Sequence, residues 1–155
     1  MPKNVREHVQ QALWWGVIEP LFIFGRHFFT LMRRVFMNWE RQEFPLGWIA
    51  PHKDIHDLVL HLRTHGFRGF RCSWQDPGQK VNLRRRDTFH SQYHIRIFED
   101  GEIRAHYEKS PEAHPFDHLF GHGLETRREE FLKIFGEWLV LEEPQLISET
   151  SEVEL

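Results

Sequence analysis

The sequence predicts an α+β domain: a small antiparallel β-meander of about three strands, packed on one face by helices, in the order α-α-α-β-β-β-α. Three observations carry that expectation. Apolar residues recur at helical spacing before Gly66 and again after Thr126. Between them the period switches to two. Clusters of Asp, Pro and Gly mark the points where it changes.

The first helix opens at Asn4, with Glu7 three residues on as in a capping box, and carries Val5, Val9, Leu13 and Val17. Glu19-Pro20 is expected to break it, Pro20 then starting a second helix over about 20–41. On a wheel that helix is amphipathic. Leu21, Phe24, Phe28, Leu31, Met32, Val35, Phe36 and Trp39 share one face, with Arg26, His27, Thr30, Arg33, Arg34 and Arg41 on the other. Each arginine inside a bilayer would cost roughly 2.5–3.5 kcal/mol, so a transmembrane span is rejected. Core packing, docking on a protein partner, or peripheral contact with a membrane surface are the three readings.

Pro45, Gly47 and Pro51 mark a loop. Asp54 with Asp57 caps a third helix that ends at Gly66 and buries Ile55, Leu58, Val59 and Leu62. From Phe67 to Trp74 the pattern alternates as a strand, and Asp76-Pro77-Gly78 turns the chain. Lys80–Arg86 and residues 89–98 read as two more extended segments, the latter continuing through a hairpin to Glu108. Thr126 and Glu129 form a capping box for a last helix that buries Phe131, Ile134, Phe135 and Trp138 and stops at Pro144. Residues 1–143 therefore read as one domain and 144–155 as an acidic, flexible tail.

The hairpin "YHIRIFEDGEIRAHYE" admits two registers. A two-residue turn at Asp100-Gly101 would mix apolar and polar side chains on both faces. A three-residue Glu99-Asp100-Gly101 loop, with Gly101 left-handed, sorts them. Tyr93, Ile95, Ile97, Ile103, Ala105 and Tyr107 then share one face, while His94 faces His106 and Arg96 faces Arg104 on the other. A half-buried sheet selects the second register. His90 and Gln92 lie further along the polar face, which is expected to be exposed, with Arg71 on a neighbouring strand and Arg84, Arg85 and Arg86 nearby.

Facing arginines repel unless an anion or acidic side chains lie close. Residues 63–106 carry 9 Lys/Arg against 5 Asp/Glu, a net of +4, whereas residues 107–155 carry 4 against 12, a net of −8. One outcome is an ordinary sheet face whose arginines pair with Glu102, Glu108 or the acidic C-terminal helix. The functional reading is a small intracellular protein that binds nucleic acid, RNA more than DNA, or another phosphate-bearing ligand. In that reading Arg96, Arg104, His90, Gln92, Arg71, Arg84, Arg85 and Arg86 hold the ligand. Two alternatives stand beside it. One is an accessory subunit docking through helix 20–41. The other is a metal-independent phosphodiesterase or ribonuclease with His94 and His106 as acid and base. Whether the protein is an enzyme is left open.

Twelve histidines raise the question of a metal. His52/His56 and His61/His65 point in nearly opposite directions on their helix and cannot share an ion. His114, Asp117, His118 and His122 supply enough ligands for a divalent ion. If their segment folds over the hairpin so that His114 or His118 joins His94 and His106, a metal becomes the leading idea. The leading reading requires no cofactor. Cys72 is the lone cysteine, which excludes an intramolecular disulfide and a cysteine-based zinc site. The polar start MPKNVREHV has no signal core, so a cytoplasmic location is expected. No P-loop, G-x-G-x-x-G, G-x-S-x-G or C-x-x-C is present.

Overall fold

A computed structural model describes residues 4–21, 44–69, 76–114, 117–118 and 123–144. The elements are α1 (Asn4–Leu13), β1 (Pro45–Ile49), α2 (Ile55–Thr64), β2 (Arg68–Gly69), β3 (Gln79–Arg86), β4 (Ser91–Phe98), β5 (Glu102–Lys109), α3 (Arg128–Phe135) and β6 (Leu139–Val140). The class is α+β, as expected. The sheet, however, has six antiparallel strands in the order β2-β3-β4-β5-β1-β6, not three, and helices and strands alternate differently from the predicted α-α-α-β-β-β-α.

Two of the extra strands come from segments whose residue types argue against strand. Pro45 stands at the first position of β1, where its missing N–H removes no ladder bond from the interior. Gly47 lets the chain pass close to β6: a Cβ there would stand 2.3 Å from the Val140 carbonyl oxygen. At the other end, the last helix does not run to Pro144. It closes at Phe135, Gly136 turns with φ +52°, one 3-10 turn follows, and Leu139–Val140 pairs with Trp48 and Ile49. The expected capping box also fails. Arg127, left-handed at φ +37°, is the N-cap and its side chain caps nothing, its guanidinium lying over the Tyr107 ring at 3.5 Å.

The hairpin register is the predicted one. His94 pairs with His106, Arg96 with Arg104 and Ile97 with Ile103, and Gly101 turns at φ +85°. Tyr93, Ile95, Ile97, Ile103, Ala105 and Tyr107 consequently point together into a core closed by Leu58 and Leu62 of α2 and Phe131 and Phe135 of α3. Asp54 caps α2 as expected, accepting from the backbone N–H of His56 at 2.6 Å and of Asp57 at 3.4 Å. Gly78, at φ +74°, completes the turn that begins at Asp76.

At the N-terminus α1 does not break at Glu19-Pro20. Trp14–Ile18 widen into a π turn, closed by the Glu19 N–H on the Trp14 carbonyl, and helical bonding continues to Leu21. Trp14 is buried, whereas Val5, Val9, Leu13 and Val17 form an exposed apolar stripe. Most of the predicted helix 20–41, residues 70–75 and the acidic tail from 145 lie outside the described residues. Among the described residues no helix is long and apolar enough to cross a membrane.

Candidate metal centre

Strand alternation that sends the isoleucines of β4 and β5 into the core sends Gln92, His94 and Arg96, with Arg104, His106 and Glu108, to the other face. β3 adds Asn82 opposite Arg96, Arg84 opposite His94 and Arg86 opposite Gln92. That face was expected to be solvent-exposed, and it is not. His94 is 2 %, His106 3 % and Arg96 0 % exposed, and Gln92, Glu108 and Glu112 are equally enclosed. A buried polar group is tolerated only when it is partnered, and this face is a connected network.

The arginines are bound to carboxylates. Arg96 pairs with Asp76 and Arg104 with Glu102 through two contacts at 2.9 and 2.6 Å. Arg84 and Arg86 both donate to Glu112 Oε1, at 2.8 and 2.7 Å. Arg85 points the other way, over the Phe67 and Tyr93 rings. Arg71 and His122 lie outside the described residues. Of the predicted phosphate-binding arginines, Arg84, Arg86, Arg96 and Arg104 are thus in ion pairs within the chain and Arg85 lies on the opposite face of the sheet.

The histidines converge. His94 Nδ1 lies 3.2 Å from His106 Nε2 and 3.4 Å from Glu108 Oε1, and His106 Nε2 lies 3.2 Å from Glu108 Oε2. A tetrahedral ion holding its ligands at about 2.0–2.1 Å separates them by about 3.3 Å. Side chains around the cluster fix its atoms. Asn82 Oδ1, an acceptor, stands 2.8 Å from His94 Nε2, so Nε2 carries the proton and Nδ1 presents its lone pair to the cluster. Gln92 Nε2 donates to Glu108 Oε1 at 2.7 Å, and Arg84 donates to Gln92 Oε1 at 3.3 Å. Burial pushes the Glu108 carboxyl up, but His118, His94 and His106 around it outweigh burial and hold it well below the usual carboxylate range.

His118 reaches the same carboxylate, with Nδ1 at 3.4 Å from Glu108 Oε2. His118 therefore lies against the hairpin face. The other predicted metal ligands stay apart from the cluster: His114 bonds His90 at 3.2 Å, and Asp117 is held by Lys109 at 2.7 Å. One further group of ligand-type residues occurs among the described residues, Asp54, His56 and Asp57. It is exposed and is already used in capping α2. Family models, curated proteins and solved structures offer no match to this chain.

Glu108, Asn82 and Glu112 were not among the candidates read from the sequence. The register contained a signal for the first: residues paired to a sum of 200 put Glu108 opposite Gln92, one step from His106 on the same face. Asn82 required knowing how β3 lies against β4. Glu112 required the backbone after Ser110 to turn back, which it does through the His114 N–H on the Ser110 carbonyl.

Proposed function

We propose that the protein is a metalloprotein that holds a divalent transition metal of the zinc class on His94, His106 and Glu108. The observation that carries this reading is that one ligand atom from each of these three buried residues lies within 4.8 Å of the other two, with His94 Nδ1 and His106 Nε2 3.2 Å apart and each imidazole within 3.4 Å of a Glu108 oxygen. Two imidazoles and a carboxylate suit zinc and its neighbours better than magnesium or calcium, which favour all-oxygen shells. Asn82 and Gln92 are the outer partners such ligands ordinarily have. Among the described residues the cluster supplies three ligands, and a fourth position taken by water would suit metal-assisted hydrolysis.

Equilibrium dialysis of the full chain against zinc tests the reading. One equivalent of zinc is expected, with affinity lowered at least tenfold in His106→Gln and Glu108→Gln. Zinc uptake that both variants retain would sink it.

The nucleic-acid reading draws less support. It relied on arginines available to phosphate, and Arg84, Arg86, Arg96 and Arg104 all bind carboxylates of this chain. Salt-titrated binding to RNA and DNA discriminates: on the metal reading, affinity at low salt does not change with Arg96→Ala. The phosphodiesterase alternative shares His94 and His106 but predicts activity that a chelator leaves intact.

A second reading has one observation in its favour. Val5, Val9, Leu13 and Val17 are 66, 62, 51 and 50 % exposed along one stripe of the N-terminal helix. An accessory role, docking through this helix, predicts that Val9→Glu with Leu13→Glu abolishes self-association or co-sedimentation with vesicles without lowering stability.

A further inference from the structure

A second pair of imidazoles meets outside the buried centre. His90 is exposed just before β4, and the His114 side chain is 35 % exposed; His90 Nδ1 and His114 Nε2 lie 3.2 Å apart. Neither residue belongs to the His94, His106 and Glu108 cluster. One buried residue holds the backbone of both. The Ser110 N–H donates to the His90 carbonyl at 2.9 Å, and the Ser110 carbonyl accepts from the His114 N–H at 2.9 Å. Ser110 Oγ also donates to the Phe89 carbonyl, and the His90 N–H is held by Thr88 Oγ1 at 3.1 Å. The fold thus presents two converged ring nitrogens on side chains that reach the surface.

We propose that His90 and His114 form a second metal site, at the surface, which takes a divalent ion of the zinc and copper class between His90 Nδ1 and His114 Nε2. In the metal-free chain the gap holds one shared proton, one ring donating to the other. An ion with ligands at about 2.0–2.1 Å spaces them by about 3.3 Å, so it replaces that proton with little movement of either ring. Imidazole nitrogens suit zinc, copper and nickel better than magnesium or calcium. Asp117 Oδ2 stands 3.8 Å from His114 Nδ1. A carboxylate favours the proton on the nitrogen it faces, which leaves Nε2 its lone pair. Burial, Lys109 and His90 lower the His114 pKa against the opposing pull of Asp117, so the ring is neutral and able to ligate near neutral pH. The Lys109 ammonium is itself paired with Asp117 at 2.7 Å. Two protein ligands, against three in the buried cluster, make this the weaker site, with water completing the shell. It shares no ligand with the buried centre and does not depend on it.

Nitrogen NMR of the assigned histidine side chains tests it. The full chain is titrated with zinc chloride past one equivalent, with magnesium chloride at matched ionic strength as the control. Zinc is expected to shift His90 Nδ1 and His114 Nε2 together and saturably, after the buried cluster has filled, and magnesium to shift neither. His90→Ala and His114→Ala should each lower the affinity for this second equivalent by more than about tenfold, the loss that even an outer partner of a ligand can cause. The two sites fail separately. Zinc that moves His94 and His106 but leaves His90 and His114 unshifted overturns this inference and leaves the buried centre standing. Shifts at His90 and His114 alone support it and overturn the buried centre. A second equivalent that both alanine variants retain in full also overturns it, since another surface histidine then holds the ion.

Discussion

Asn82 Oδ1 sits 2.8 Å from His94 Nε2, on the strand next to the one that carries the histidine. Because an amide oxygen accepts and does not donate, this contact orients the imidazole and turns His94 Nδ1 toward His106 and Glu108. Asn82→Leu is expected to weaken zinc binding by about 10–100-fold while the sheet remains folded. Asn82→Asp keeps an acceptor in place and should recover most of the loss. Competition with a chromophoric chelator measures both, with far-ultraviolet circular dichroism to confirm folding.

Glu108 predicts a pH dependence. Three imidazoles hold its carboxyl well below the ordinary value of 4.5 despite its burial. A carboxyl depressed on folding contributes stability that is present above its unfolded value and lost as pH falls through its folded one. Without metal, therefore, the wild-type protein should lose stability steadily below pH 4.5. Glu108→Gln should be less stable at neutral pH but lose less on acidification. Urea midpoints between about pH 3 and pH 7 read the difference, and parallel curves for the two proteins would rule out this role for Glu108.

Gly47 reports on the outer half of the sheet. A Cβ at this position meets the Val140 carbonyl at 2.3 Å, backbone that cannot swing aside as a side chain would. Gly47→Ala should push β6 away from β1 and destabilise the fold by about 1–3 kcal/mol, the usual range for overpacking. Urea denaturation measures it. An unchanged midpoint would mean that the β1–β6 contact contributes little to stability.

How much of this was legible in the sequence depended on the range of the interaction. The α2 cap at Asp54, the Asp76-Pro77-Gly78 turn and the hairpin register are set by residues within a few positions of one another, and each was readable. β1 and β6 were not, because Pro45 and Gly47 read as loop until the partner strand that requires the glycine is known. The His94/His106 and Arg96/Arg104 pairs followed from the register. Their burial did not, since alternation of polar and apolar residues looks the same whether the polar side meets water or internal partners. What settles that question here are Asp76 and Glu112, 20 residues before Arg96 and 28 after Arg84, brought in by tertiary folding. Helix signals were likewise outweighed: Gly136 terminates α3 well before Pro144.

X-ray absorption at the zinc edge of the zinc-loaded full chain tests the central claim most directly. The account predicts a four-ligand first shell of nitrogen and oxygen at about 2.0–2.1 Å, with the outer-shell scattering of two imidazoles, and loss of one imidazole in His94→Ala. A six-oxygen shell without imidazole scattering, or a spectrum unaltered by His94→Ala, would contradict it.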